Sequence, residues 1–245
     1  MYARTKSVIL GAYKGIGSLL GAIFLLNCAN WAVAEQAEPI SYKPPSLEQF
    51  NESSFPSSAR SAYRAFSKGD KEKALAEISK LESNPRLERR ERIMLLKGLV
   101  HLAASEGSAA KQALKSGLQA RGSDSDLLFV YGLAQRSMGE TNQGLASMEE
   151  ALWFSKFTAC KPEEVLIEIH RAHTDLNNPA KAAEALERAL AKDPGSVLVK
   201  TSLARTKLQS GAKNDAIRIA REAIAADPAA AGAKLILAEA LLMNS

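Results

Sequence analysis

Cys160, His170 and His173 are the side chains of this sequence whose types and spacing could do chemistry together. His170 and His173 stand at i and i+3, so a helix through them carries both imidazoles on one face. With the thiol, that set could form part of a zinc site or a Cys–His nucleophile pair. The pattern stops short of either. There is no HExxH run and no CxxC pair, so zinc would lack a fourth ligand at a standard spacing. The favoured reading is two histidines in packing positions and a thiol buried as a small hydrophobe. His101, alone in an apolar run, reads as core. Gly11, Gly15 and Gly17 neither follow a strand nor open a helix, as a phosphate loop must. The pairs Glu149-Glu150 and Glu163-Glu164 fall near expected helix ends and read as solvated faces or dipole partners. No catalytic, metal-ligating or cofactor-binding residue emerges, and the expectation is a protein that is not an enzyme.

The elements that must hold these residues read as helices throughout. Apolar periodicity predicts helix pairs over 59–68 with 71–83, 86–105 with 108–120, and 125–137 with 141–154. Two further pairs fill 163–194 and 197–228, and a single helix over 229–243 follows. Gly69-Asp70, Gly139-Glu140 and Ser210-Gly211 supply turns, while Pro85, Pro194 and Pro228 supply stops. The last two prolines lie 34 residues apart, and Ala182/Ala216, Leu186/Ala220 and Ala189/Ala223 keep that interval. Small residues Ala74, Ala110, Gly144, Ala182 and Ala216 mark five second helices at intervals of 36, 34, 38 and 34. The irregular steps place insertions of two residues around 84–88 and of four around 154–161.

A helix–turn–helix unit of 34 residues resembles the tetratricopeptide repeat. The resemblance covers about 55–245, strongest in repeats three to five, and is to an exported, bacterial-type member of that family. It implies an all-α, right-handed superhelical solenoid of about five repeats plus a terminal helix. No single pair can bury its apolar face alone, so neighbours stack. Gly98, Gly132 and Ala204 of first helices are expected against Ala110, Gly144 and Ala216 of second helices, which allows close approach. His170 stands where the repeat usually has a small residue, beside the four-residue insertion. That marks the fourth repeat as the joint expected to flex.

Ahead of the repeats lies an address. Residues 1–34 combine Arg4, Lys6 and Lys14, an apolar run over 16–28, and Ala32-Val33-Ala34 before the first acidic residue, Glu35. This reads as a signal peptide cut after Ala34, so the protein is expected to be exported and periplasmic. An uncleaved anchor over 16–33 facing the periplasm is the alternative, and lipidation at Cys28 a minor one. Membrane contact is expected only if 16–33 is retained. Residues 35–58, rich in proline and serine, read as a linker before a solenoid over 59–245. Without the three leader cations the formal charge falls from +5 to +2, which gives no broad phosphate-binding surface and argues against nucleic acid. Loss of Cys28 leaves Cys160 without an intramolecular disulfide partner.

The expected work is therefore recognition without chemistry: a scaffold binding a protein or peptide segment in a groove, in assembly of a cell-envelope complex. The alternative is a membrane-anchored accessory of an envelope enzyme or export machine. The resemblance implies that first helices line the groove. By spacing, this puts Tyr63 and Phe66, then Arg92, Leu95, Leu99 and Leu102, on its surface. Phe129, Leu133 and Arg136 follow, then Ile167, Arg171 and Thr174, then Leu198, Thr201, Arg205 and Leu208. Arg136, Arg171 and Arg205 would form a row that suits an acidic segment or a free carboxylate. The bland reading is that these arginines pair with Glu164, Glu168 or Glu239, and that the leucines are ordinary core.

Overall fold

Five residues in the left-handed region set the beat of the chain: Gly69, Ser105, Gly139, Asn177 and Gly211. Each closes a first helix, and the next residue's N–H returns to a carbonyl of that helix's last turn. Examples are Asp70 to Ala65 at 3.0 Å, Glu140 to Gln135 at 3.0 Å and Ala212 to Lys207 at 2.9 Å. Glycine takes this conformation without the Cβ penalty, and asparagine takes it more readily than most residues. The five turns repeat the irregular intervals of the small-residue markers, so both insertions lie between pairs and not within them.

The computed structural model describes residues 50–84 and 87–243, all within one compact unit. The expected leader over 1–34 and the linker over 35–49 lie outside the described residues. Eleven α-helices and no strand occur among the described residues. They are α1 Arg60–Ser67, α2 Lys71–Glu82, α3 Arg90–Ala103, α4 Gly107–Ala120, α5 Ser125–Ser137, α6 Thr141–Phe154, α7 Pro162–Asp175, α8 Pro179–Lys192, α9 Val197–Gln209, α10 Lys213–Ala226 and α11 Ala231–Leu242. Each helix packs on its sequence neighbours, and first helices also meet across repeats, as α3 with α5 and α9 with α11. The product is the solenoid that the sequence implied. No helix among the described residues is long and apolar enough to cross a membrane.

Capping follows the sequence where a short polar side chain precedes a helix. Asp70, Asp124, Asn178 and Ser196 accept N–H hydrogen bonds from Lys73, Leu127, Lys181 and Val199. Each satisfies one of the free amide groups at a helix start.

The marker residues Ala74, Ala110, Gly144, Ala182 and Ala216 are all buried. In the third repeat the two backbones nearly touch. A Cβ built at Gly132 would lie 2.7 Å from the Gly144 carbonyl oxygen, and one at Gly144 the same distance from the Gly132 carbonyl oxygen. In the second repeat Gly98 makes room for Leu114, whose Cγ would sit 2.5 Å from an added Cβ. In the fourth, His170 fills the equivalent space, and its Nδ1–H donates to the Ala182 carbonyl at 3.2 Å.

The linker reading fails at its inner end. Residues 50–58 fold onto the first repeat in two short 3-10 turns, Glu52–Ser54 and Ser57–Ala59. Phe50 and Phe55 are buried, and ring centroids run Phe50–Phe55 6.5 Å, Phe55–Tyr63 5.5 Å and Tyr63–Phe66 6.4 Å. Aromatic burial outweighs the turn-forming composition that suggested an extended segment. It also removes Tyr63 from a free inner surface.

Candidate functional site

The inner faces of the first helices divide into a closed half and an open half. In α3 and α5 the expected groove residues Leu95, Leu99, Leu102, Phe129 and Leu133 are buried core. Arg92 is buried too. Its Nη1 donates to Asp126 Oδ2 at 2.8 Å, its Nη2 lies 3.3 Å from Asp124 Oδ2, and Nη2 also bonds Thr158 Oγ1. The four-residue insertion supplies the cover. Lys156 N–H donates to Ser125 Oγ at 2.8 Å, and the N–H groups of Ala159 and Cys160 reach the Asp126 carboxylate at 3.1 and 3.0 Å. The insertion that precedes the fourth repeat is thus a strap tied to the starts of α3 and α5.

Electrostatics fit that arrangement. Burial pushes the Asp126 carboxyl up, but hydrogen bonds from Thr158 and Arg92 outweigh it and hold the group below the usual carboxylate range. Asp124 is raised by burial despite Arg92. Burial among these groups also drives the Cys160 thiol well above its ordinary value, which opposes thiolate chemistry there.

The arginine row is partly spent on structure. Arg136 is nearly buried: Nη1 meets Glu168 Oε2 and Nη2 meets Asp175 Oδ2, each at 2.7 Å. Glu168 turns its other oxygen to Arg171. The bland pairing with Glu168 therefore holds for Arg136 and Arg171, and ties α5 to α7. Arg171 keeps half its side chain in solvent. Arg205, one repeat on in α9, is exposed and makes no ion pair among the described residues.

Ile167 is half-buried and Leu208 buried, so Leu208 joins Phe129 and Leu133 as core. The open wall instead contains Leu198, 61% exposed, with Thr201 and Arg205 on one stripe of α9. One 34-residue step carries Thr201 to Leu235 and Leu208 to Leu242, on α11, which are 63% and 78% exposed. Neither leucine is among the groove residues expected from spacing, although the same translation that relates Arg205 to Arg171 points to them. A Cβ added at Gly232, the equivalent of Leu198, would lie 3.3 Å from Thr201 Cγ2, so α11 continues the α9 surface.

The histidines fall elsewhere. Burial holds both His170 and His173 below the ordinary imidazole value near 6.5. His101 Nδ1 meets Glu106 Oε2 at 2.8 Å. No group of three or more His, Cys, Asp or Glu among the described residues is placed to hold a metal ion.

Comparison with known proteins reports on the fold. Residues 173–235 match the tetratricopeptide repeat family. A comparison of the sequence with curated proteins finds no match. Among solved structures, PilF of Pseudomonas aeruginosa is similar with TM-score 0.62 and 16% identity, covering 73% of this chain and 78% of that one. PilW, a type IV pilus biogenesis factor, gives TM-score 0.60 and 20% identity over 74% of this chain and 82% of that one. YrrB, described as having an unusual peptide-binding site, gives 0.56 and 18% over 76% and 93%. At these identities the likeness is one of fold. Residues 173–235 thus carry the match to the tetratricopeptide repeat, and paired helices with small residues at each crossing continue a tetratricopeptide-like solenoid fold through the other described repeats.

Proposed function

We propose that this protein is a non-enzymatic scaffold that holds a peptide segment of a partner along the open wall of α7, α9 and α11. Tetratricopeptide folds act as protein–protein interaction scaffolds, and the choice of wall rests on one observation. Arg205 is exposed without an ion pair among the described residues, on the stripe of α9 that carries exposed Leu198, and the next first helix, α11, adds exposed Leu235. A guanidinium without an ion pair on a wall that also exposes leucines suits a carboxylate, from a side chain or a chain terminus, in a segment with apolar residues. Arg171 adds a second, partly engaged cation one repeat earlier.

The test is selection from a library of random peptides displayed with free C-termini. The selected sequences should be rich in Asp or Glu with Leu or Ile. Arg205→Ala should weaken the best of them about tenfold, equivalent to ~1.4 kcal/mol, and flatten the salt dependence of binding. Selection of basic peptides, or unchanged affinity in the variant, would remove Arg205 from the mechanism.

The site of action follows from the leader. Export to the periplasm, with 1–34 removed, is the reading its A-x-A pattern supports, and pilus biogenesis in the similar PilW offers one instance of envelope assembly. The apolar run over 16–33 supports retention as an anchor instead, with the chain serving as an accessory subunit. Intact mass decides: a chain starting at Glu35 supports cleavage, and one retaining Met1 supports the anchor.

A further inference from the structure

Trp153 has 85% of its surface exposed, more than any other large apolar side chain among the described residues. It belongs to α6, a second helix, so it is not part of the wall formed by first helices. A lone exposed leucine needs no explanation, but tryptophan is the residue most enriched where partners anchor. Its surroundings specify what it would meet.

Glu149 and Glu150 precede it by four and three residues and share its helix face. Glu149 is engaged across the surface by Arg188 of α8, at 2.9 and 3.1 Å. Glu150 is exposed and makes no ion pair among the described residues. Phe154 ends the helix, Ser155 turns away at φ 50, and no basic residue occupies the last turn. The carbonyls of that turn therefore present the negative end of the helix dipole. Lys156, the nearest lysine in sequence, lies over the Phe154 ring at 5.9 Å. An indole face, an unpaired carboxylate and a helix C-terminus all favour a cation at one place.

We propose that Trp153 and Glu150 form a second docking point, for an arginine-bearing segment of a partner protein. The guanidinium stacks on the indole and its fork donates to Glu150. Arginine fits better than lysine because its planar group can stack and bond at once. Beside this point, Glu149 and Arg188 line a cavity of about 490 Å³ between α6 and α8, with Leu145, His173 and Leu176. His173 Nδ1 is buried there without a hydrogen-bond partner. The cavity can take the next side chain of the segment.

The chain has two tryptophans, Trp31 and Trp153, so Trp31→Phe leaves Trp153 as the reporter in the full chain. Its emission is titrated with a helical Ala/Leu peptide carrying arginines one turn apart. Matched lysine and glutamate peptides, and phosphatidylcholine vesicles with phosphatidylglycerol, are run beside it. A saturable change with the arginine peptide is expected, weaker with lysine, absent with glutamate and with vesicles. Glu150→Gln should weaken arginine-peptide binding about two- to fivefold. The proposal is overturned by no response to the arginine peptide, an equal response to glutamate, a response confined to vesicles, or unchanged affinity in Glu150→Gln.

Discussion

Asp126 accepts hydrogen bonds from Arg92, Thr158 and the N–H groups of Ala159 and Cys160, out of reach of solvent. Asp126→Asn removes the charge nearest the Arg92 guanidinium while keeping the shape. Breaking one partner of a buried pair typically costs ~3–5 kcal/mol, and urea unfolding should show a loss on that order. The depressed Asp126 carboxyl contributes stability above its unfolded value near 3.8, lost as pH falls through the folded value. The loss caused by Asp126→Asn should therefore shrink below about pH 4. His170 has the imidazole form of the same linkage. Its value is lowered by burial, so the unfolded chain binds the proton more readily and stability falls as pH drops below about 6.5. Melting between pH 7.5 and 5.5 should depend less steeply on pH in His170→Gln, whose amide can still donate to Ala182. The buried pair was partly legible. Arg92 and Asp126 are 34 residues apart, and opposite charges at equivalent points of stacked helices can meet. Reading Arg92 as groove-facing missed this because spacing places a residue on a face but does not say what covers that face.

At the scale of elements, turns and helix pairs were readable because each rests on local chemistry: glycine at a left-handed turn, a cap three residues ahead, proline after a stop. Gly132 and Gly144 show how far that goes. Their pairing follows from the repeat register, and the approach of the two backbones bears it out. Gly132→Leu must push α5 from α6, because the first atom met is a backbone oxygen and not a flexible side chain. Overpacking of this kind costs ~1–3 kcal/mol, and the damage should be largest in neighbouring repeats. Thermal melting with hydrogen exchange checks both the magnitude and the spread. The strap over 155–161 and the cap over 50–58 were less legible. Their courses depend on Asp126 and on the Tyr63 ring, tertiary partners absent from their own local pattern.

At the scale of the molecule, burial decides which half of the inner surface can recognise anything. The inner residues of α3 and α5 are enclosed, with Arg92, Asp126 and the strap closing one end, whereas α9 and α11 leave Leu198, Arg205, Leu235 and Leu242 in solvent. The inner surface left open is thus that of the C-terminal repeats. The single measurement closest to that claim is a methyl NMR titration of the leucines with a peptide of alternating aspartate and leucine ending in a free carboxylate. Saturable shifts are expected at Leu198, Leu235 and Leu242, lost when Arg205→Ala is titrated. Shifts confined to other leucines, or none on this wall at saturating peptide, would contradict it.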